Sequence, residues 1–209
     1  QTGVVWIANP NNPTGTCLGQ GALRGFIESI PSTIPVVLDE AYFEYAIDAD
    51  YPDTSRWLGD FPNLIVTRTF SKAYGLAALR VGYGLSHPDV ADLLNRVRQP
   101  FNVDSFAQAG ALAALADREH LQQSVALNRR GMAQLVDGVQ RIGLQFIPSA
   151  GNFLTIDLGR EAGPVDQALL RLGVITRPVA NYGLPNHLRV SIGLESENER
   201  FLQALGQVL

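Results

Sequence analysis

Three short apolar runs, each ending in a cluster of polar residues, constrain the fold of this 209-residue chain more than any other feature. Residues 4–8 run into Asn9-Pro10-Asn11-Asn12-Pro13-Thr14-Gly15. Residues 35–38 run into Asp39-Glu40-Ala41-Tyr42, and residues 64–67 into Arg68-Thr69-Phe70-Ser71-Lys72. Runs this short and this apolar read as strands buried on both faces. Residues 18–29 carry helical spacing between the first two, and residues 81–84 read as a fourth strand. Short strands alternating with helices predict an α/β fold with a parallel or mixed sheet. Ligands of such sheets collect outside the strand ends, where the polar clusters fall.

The second half changes character. Residues 89–99, 105–116 and 120–142 read as helices. Residues 146–147, 153–158, 174–176 and 188–191 read as strands, with helices at 164–172 and 195–208 between or after them. Pro164 suits the first turn of its helix. This pattern predicts a small α+β domain after the first, with the join on the helices between about Ser105 and His120.

Composition closes off several functions. Hydrophobic residues make up 46% and charged residues 17%, which is the balance of a globular chain. A net charge of −4 argues against general nucleic-acid binding, yet a few arginines can still hold a phosphate. The lone Cys17 excludes an internal disulfide, and no basic cluster flanks it to activate the thiol. His87, His120 and His187 have no metal-ligand spacing and read as surface or packing residues, so no metal is expected. No apolar run approaches 18 residues, so the expectation is a cytoplasmic protein with no membrane partner. The only methionine is Met132, and a strand at the very first residues is expected to pair with earlier sequence. The chain is therefore expected to be part of a longer protein.

The polar clusters supply an amine, a carboxylate, an amide, hydroxyls and guanidinium groups, a set that can hold pyridoxal phosphate. Lys72 can condense with an aldehyde if it loses its proton, which desolvation or nearby cations favour; Arg68 and Arg80 are the candidate neighbours. The same amine can then move a substrate proton. A lone Ser-Lys pair would ordinarily be surface, and it is the flanking clusters that raise Lys72 above that. Asp39 follows a buried strand, a costly place for a carboxylate without a cationic partner such as a protonated pyridine nitrogen. Structural capping or an internal ion pair is the alternative. Asn12 and Tyr42 can donate to a phenolate oxygen, although Asn-Asn-Pro-Thr-Gly is also a good turn by itself. Thr69, Ser71 and Arg80 can contact a phosphate. Arg189, in an apolar strand, needs a fixed anion, either a ligand or an internal carboxylate; Arg177 is a second candidate. The dinucleotide fingerprint fails after Gly19-Gln20-Gly21, and neither a Walker-type loop nor a Gly-x-Ser-x-Gly elbow occurs.

The segments 9–15, 39–45, 68–77 and 79–83, with Gly151-Asn152-Phe153 and 188–193, resemble the fold-type I aminotransferases, and among them the histidinol-phosphate aminotransferase family. The resemblance implies part of a large cofactor domain over residues 1–110, with a mixed, mostly parallel sheet, and a small α+β C-terminal domain over 111–209. It implies Lys72 as the residue bonded to pyridoxal 5'-phosphate and Asp39 at the pyridine nitrogen. Asn12 and Tyr42 fall at the phenolate oxygen, and Ser71, Arg80 and Thr69 at the phosphate. Arg177 and Arg189 fall at the substrate's anionic end. The implied reaction moves the amino group of L-histidinol phosphate to 2-oxoglutarate, within histidine biosynthesis, in a homodimer. Full members carry a further N-terminal segment, so this piece alone is expected to be inactive or nearly so. An aromatic amino acid aminotransferase, a threonine-phosphate decarboxylase and a non-catalytic ligand-sensing domain remain open alternatives.

Overall fold

A computed structural model describes residues 2–46 and 50–209. The chain divides into two compact units, Gln1–Pro10 with Cys17–Gln122, and Asn11–Thr16 with Gln123–Leu209.

The first unit contains β1 (Val5–Ala8), α1 (Gln20–Ser29), β2 (Val36–Asp39), β3 (Leu64–Thr69), β4 (Gly82–Ser86), α2 (Pro88–Val97) and α3 (Ser105–Ala116). Its sheet has the order β1-β2-β3-β4; the first three strands are parallel and β4 is antiparallel to β3. The mixed α/β sheet expected from the apolar runs is therefore present. Val36, Val37 and Leu38 are all buried, as a strand covered on both faces requires. Leu23 and Ile27, four residues apart on α1, pack with Val36, Leu38, Leu64, Val66 and Trp57.

Burial of the first strand on both faces is not met. Val5 and Ile7 pack against this core, but Trp6 between them is 70% exposed. Among the described residues β1 pairs only with β2, and its alternate side chains face away from this core.

Gly82 lies opposite Thr69 where β4 meets β3, and a Cβ there would come within 2.7 Å of the Arg68 carbonyl oxygen. A backbone oxygen inside a ladder cannot swing aside. Gly82→Ala is expected to destabilise the protein by about 1–3 kcal/mol, read as a lower urea midpoint; an unchanged midpoint would refute the close approach.

The second unit contains the 11–16 loop and most of α4 (Arg118–Arg141), followed by β5 (Gln145–Ile147), β6 (Phe153–Asp157), α5 (Ala162–Arg171), β7 (Arg177–Val179), β8 (Leu184–Ser191) and α6 (Glu195–Val208). Its sheet has the order β5-β6-β8-β7 and is wholly antiparallel. Leu135 and Val139 of α4, Leu169 of α5 and Phe201 and Leu205 of α6 bury its core against Leu154, Ile156 and Leu188. Each of the α-helices α1 to α6 begins and ends within two residues of its expected bounds.

The strand expected at 174–176 is absent. Gly173 takes the left-handed conformation (φ +74°), and the Val174 N–H turns back to the Leu169 carbonyl at 3.0 Å. The Thr176 hydroxyl donates to the buried Asp166 carboxylate at 2.6 Å. The β-branched run is thus spent on ending α5, and pairing starts only at Arg177.

Candidate active site

Asp39 ends β2 with its side chain exposed, and its Oδ1 accepts the Ala41 N–H at 3.1 Å. One strand over, the Thr69 hydroxyl accepts the Ser71 N–H at 3.1 Å and turns the chain away from β3. The loop then closes on itself: the Gly75 N–H donates to the Lys72 carbonyl, and Leu76 to Phe70. Gly75 has φ +72°, the left-handed backbone that favours glycine. Phe70 is buried beside Tyr74 and Tyr83, with ring centroids 5.0 and 5.6 Å away, and Ala73 is buried too. These anchors hold Ser71 and Lys72 up at the end of the sheet. Arg80 sits at φ +51°, a conformation uncommon outside glycine, and its Nη1 donates to the Ala77 carbonyl at 2.7 Å.

Asp39, Thr69, Ser71, Lys72 and Arg80 line one open cavity of about 380 Å³, together with Ala41, Thr67, Arg68 and Ala77. The volume falls within the range of small-ligand sites. The wall can pair with a cation through Asp39, bind a phosphate through two hydroxyls and a guanidinium, and present an amine to a carbonyl. Tyr42 is buried and is not a lining residue; its ring lies under Lys72, 5.5 Å from Nζ to the centroid.

Arg68 differs from the expectation of a cationic neighbour for Lys72. It lines the cavity, but its charge is committed elsewhere. Its Nη2 lies 2.9 Å from Glu40 Oε2 and 2.8 Å from Asp53 Oδ1, and its Nε also donates to Glu40. The guanidinium rests 3.3 Å above the Phe43 ring centroid. The Thr54 hydroxyl donates to the other Glu40 oxygen at 2.5 Å. Burial pushes the Glu40 carboxyl up, against the opposing pull of Thr54 and Arg68. Burial also works against the Arg68 cation, but its bonds to Asp53 and Glu40 outweigh this and raise it. Sequence reasoning assigned nothing to Glu40 or Asp53. A signal existed for Glu40: of two successive carboxylates at a strand end, alternation turns one inward. Nothing local marked Asp53.

The other expected residues lie in the second unit. The Asn12 amide oxygen accepts a hydrogen bond from Arg189 Nη1. Arg189 also stacks on Phe153, 5.2 Å from the ring centroid. Among the described residues no carboxylate forms an ion pair with Arg189, so the internal salt bridge left open by the sequence is not made. Arg177 is exposed and stands directly across from Arg189 in the β7–β8 ladder. Like charges placed directly opposite each other repel, which makes the pair a natural seat for an anion. The loop carrying Asn12 is tied down twice: the Thr155 hydroxyl donates to the Pro13 carbonyl, and the Ala150 N–H to that of Gly15 at 2.8 Å. No group of His, Cys, Asp and Glu suited to a metal occurs among the described residues.

Comparison with known proteins bears on the whole chain. The family model described as aminotransferase class I and II matches residues 1–205. Histidinol-phosphate aminotransferase 2 of Pseudomonas fluorescens (strain Pf0-1) is 64% identical over 208 residues, covering all of this chain and 56% of that protein. The protein of the same name from Pseudomonas aeruginosa is also 64% identical and is covered to 57%. The chain thus spans a little over half the length of these relatives. The crystal structure of histidinol-phosphate aminotransferase from Sinorhizobium meliloti in complex with pyridoxal-5'-phosphate matches with a TM-score of 0.91 at 34% identity, over 99% of this chain and 57% of that one. The strands, their polar ends and this match agree: the chain belongs to the class I and II aminotransferase family.

Proposed function

We propose that the protein carrying this chain is a pyridoxal 5'-phosphate-dependent aminotransferase that transfers the amino group of L-histidinol phosphate to 2-oxoglutarate. The products are imidazole acetol phosphate and L-glutamate, and the reaction serves histidine biosynthesis. One observation carries the reading: an amine, a carboxylate, two hydroxyls and a guanidinium from separate segments line one cavity of cofactor size. That donor set fits the cofactor's carbonyl, ring nitrogen and phosphate. The names of the relatives support the choice of substrate.

The bound cofactor supplies an electron-withdrawing ring that makes the substrate Cα–H acidic. Lys72 takes and returns that proton as general base and acid. Asp39 pairs with the ring nitrogen and keeps it protonated. Thr69, Ser71 and Arg80 hold the phosphate. Asn12 and Tyr42 are assigned to the phenolate oxygen, as donors through an amide NH₂ and a phenol hydroxyl. Arg189 and Arg177 receive the substrate's anionic end.

In this reading residues 1–110 are the C-terminal part of the cofactor domain and 111–209 the small domain of a cytoplasmic homodimer. No helix among the described residues is long and apolar enough to cross a membrane.

The full-length protein mixed with pyridoxal phosphate is expected to show the visible absorbance of a lysine-bound cofactor, and histidinol phosphate without 2-oxoglutarate is expected to bleach it. An absent band would refute the cofactor assignment. Turnover of phenylalanine or tyrosine equal to or above that of histidinol phosphate would overturn the substrate assignment and favour an aromatic aminotransferase.

A further inference from the structure

We propose that Arg68 is a positioning residue of this site: clamped by Glu40 and Asp53, it sets the spacing of the β2 and β3 ends that brings Asp39 and Lys72 onto one cavity. The inference rests on the reading of that cavity as the cofactor site.

The argument starts from neighbours in the chain. Asp39 is exposed on the cavity, while Glu40, the next residue, is 1% exposed and turned the other way. Arg68 sits between Thr67 and Thr69, both on the cavity wall. The Glu40–Arg68 pair therefore joins the residue after one proposed cofactor contact to the residue before another. The backbone is joined at the same level, where the Glu40 N–H donates to the Thr67 carbonyl at 2.9 Å. Asp53 brings in a third segment, and its bond to the same Nη2 stops the guanidinium from turning. Phe43 closes the remaining face.

A guanidinium is needed for this geometry. Its planar fork holds Glu40 through Nε and Nη2 while Nη2 also reaches Asp53. An ammonium is a point charge on a flexible stem and cannot fix two carboxylates in one plane. The Arg68–Glu40 half of the clamp is also buried, with side-chain exposure of 9% for Arg68 and 0% for Glu40 against 37% for Asp53, so solvent cannot replace a broken bond to Glu40.

The test compares Arg68→Lys and Glu40→Gln with the full-length parent. Each keeps a partner for every buried group as far as its shape allows. For Arg68→Lys, kcat per bound cofactor is expected to fall about 10- to 100-fold, the scale set by a misplacement of roughly an ångström. KM for histidinol phosphate, assigned to the arginines of the second unit, is expected to stay within about threefold. In the cofactor-free protein, hydrogen exchange is expected to speed up about tenfold or more in segments 38–42 and 67–72 while residues 5–8 keep their protection. Glu40→Gln is expected to show the same pattern more weakly. Should Arg68→Lys fail to fold, Glu40→Gln decides the matter by the same readouts. Parent-like kcat per bound cofactor in a folded variant, or a uniform loss of protection across the unit, would overturn the proposal. A parent protein that binds no cofactor would instead refute the reading of the cavity itself.

Discussion

Lys72→Ala is expected to abolish transamination, with kcat down about 10⁴-fold or more, because one side chain is asked to supply both the bond to the cofactor and the proton transfer. The fold should survive the change. Lys72 is half-buried, and its Nζ lies 5.5 Å from the Tyr42 ring centroid, an interaction worth on the order of 0.5–1 kcal/mol. Cofactor affinity should fall much less than turnover, since Asp39, Thr69, Ser71 and Arg80 still line the cavity. Lys72→Arg should not rescue the activity: a guanidinium keeps its proton at any working pH and cannot act as the base. Steady-state rates on histidinol phosphate, with the absorbance spectrum of each variant, check all three points. A Lys72→Ala protein retaining more than about a tenth of the parent rate would remove Lys72 from the chemistry, since a general base alone contributes about a hundredfold or more.

What could be read from the sequence was what local rules decide. An apolar run followed by Asp39, or by Arg68-Thr69-Phe70-Ser71-Lys72, says that a strand ends there and that polar groups gather at its end. Asp39, Thr69, Ser71, Lys72 and Arg80 do share one cavity. What failed depended on partners outside the run itself. Trp6 reads as core by composition but is exposed, because exposure depends on which strands flank β1. Residues 174–176 have strand propensity, but Asp166 and Leu169 of α5 claim their hydrogen bonds first. Arg68 looked like a free cation because Asp53, 15 residues earlier, carries no motif. The 11–16 loop gave no sign that it packs with the second unit, where the Thr155 hydroxyl and Arg189 hold it. In each case the deciding contact is a hydrogen bond or ion pair, which side-chain periodicity does not encode.

Asp39→Asn separates charge from shape. The amide is nearly isosteric, and its oxygen can still accept the Ala41 N–H that now orients the carboxylate. Only the negative charge is removed. Because Asp39 is exposed at the end of β2, no buried pair is broken and the melting temperature should hardly move. Turnover should fall on the order of 10²- to 10³-fold, the usual scale for removing one preorganised electrostatic contact at a reacting centre. The loss should appear in kcat rather than in KM, because the charge acts on the reacting system while the substrate's anionic end is assigned to Arg177 and Arg189. Asp39→Glu should fall between the two: it restores the charge but adds a methylene that displaces it. The order parent, Glu, Asn in kcat is the expected result. If Asn matched Glu, geometry rather than charge would be what Asp39 contributes. If Asn stayed within about tenfold of the parent, Asp39 would have no electrostatic role and would serve only to hold the turn at Ala41.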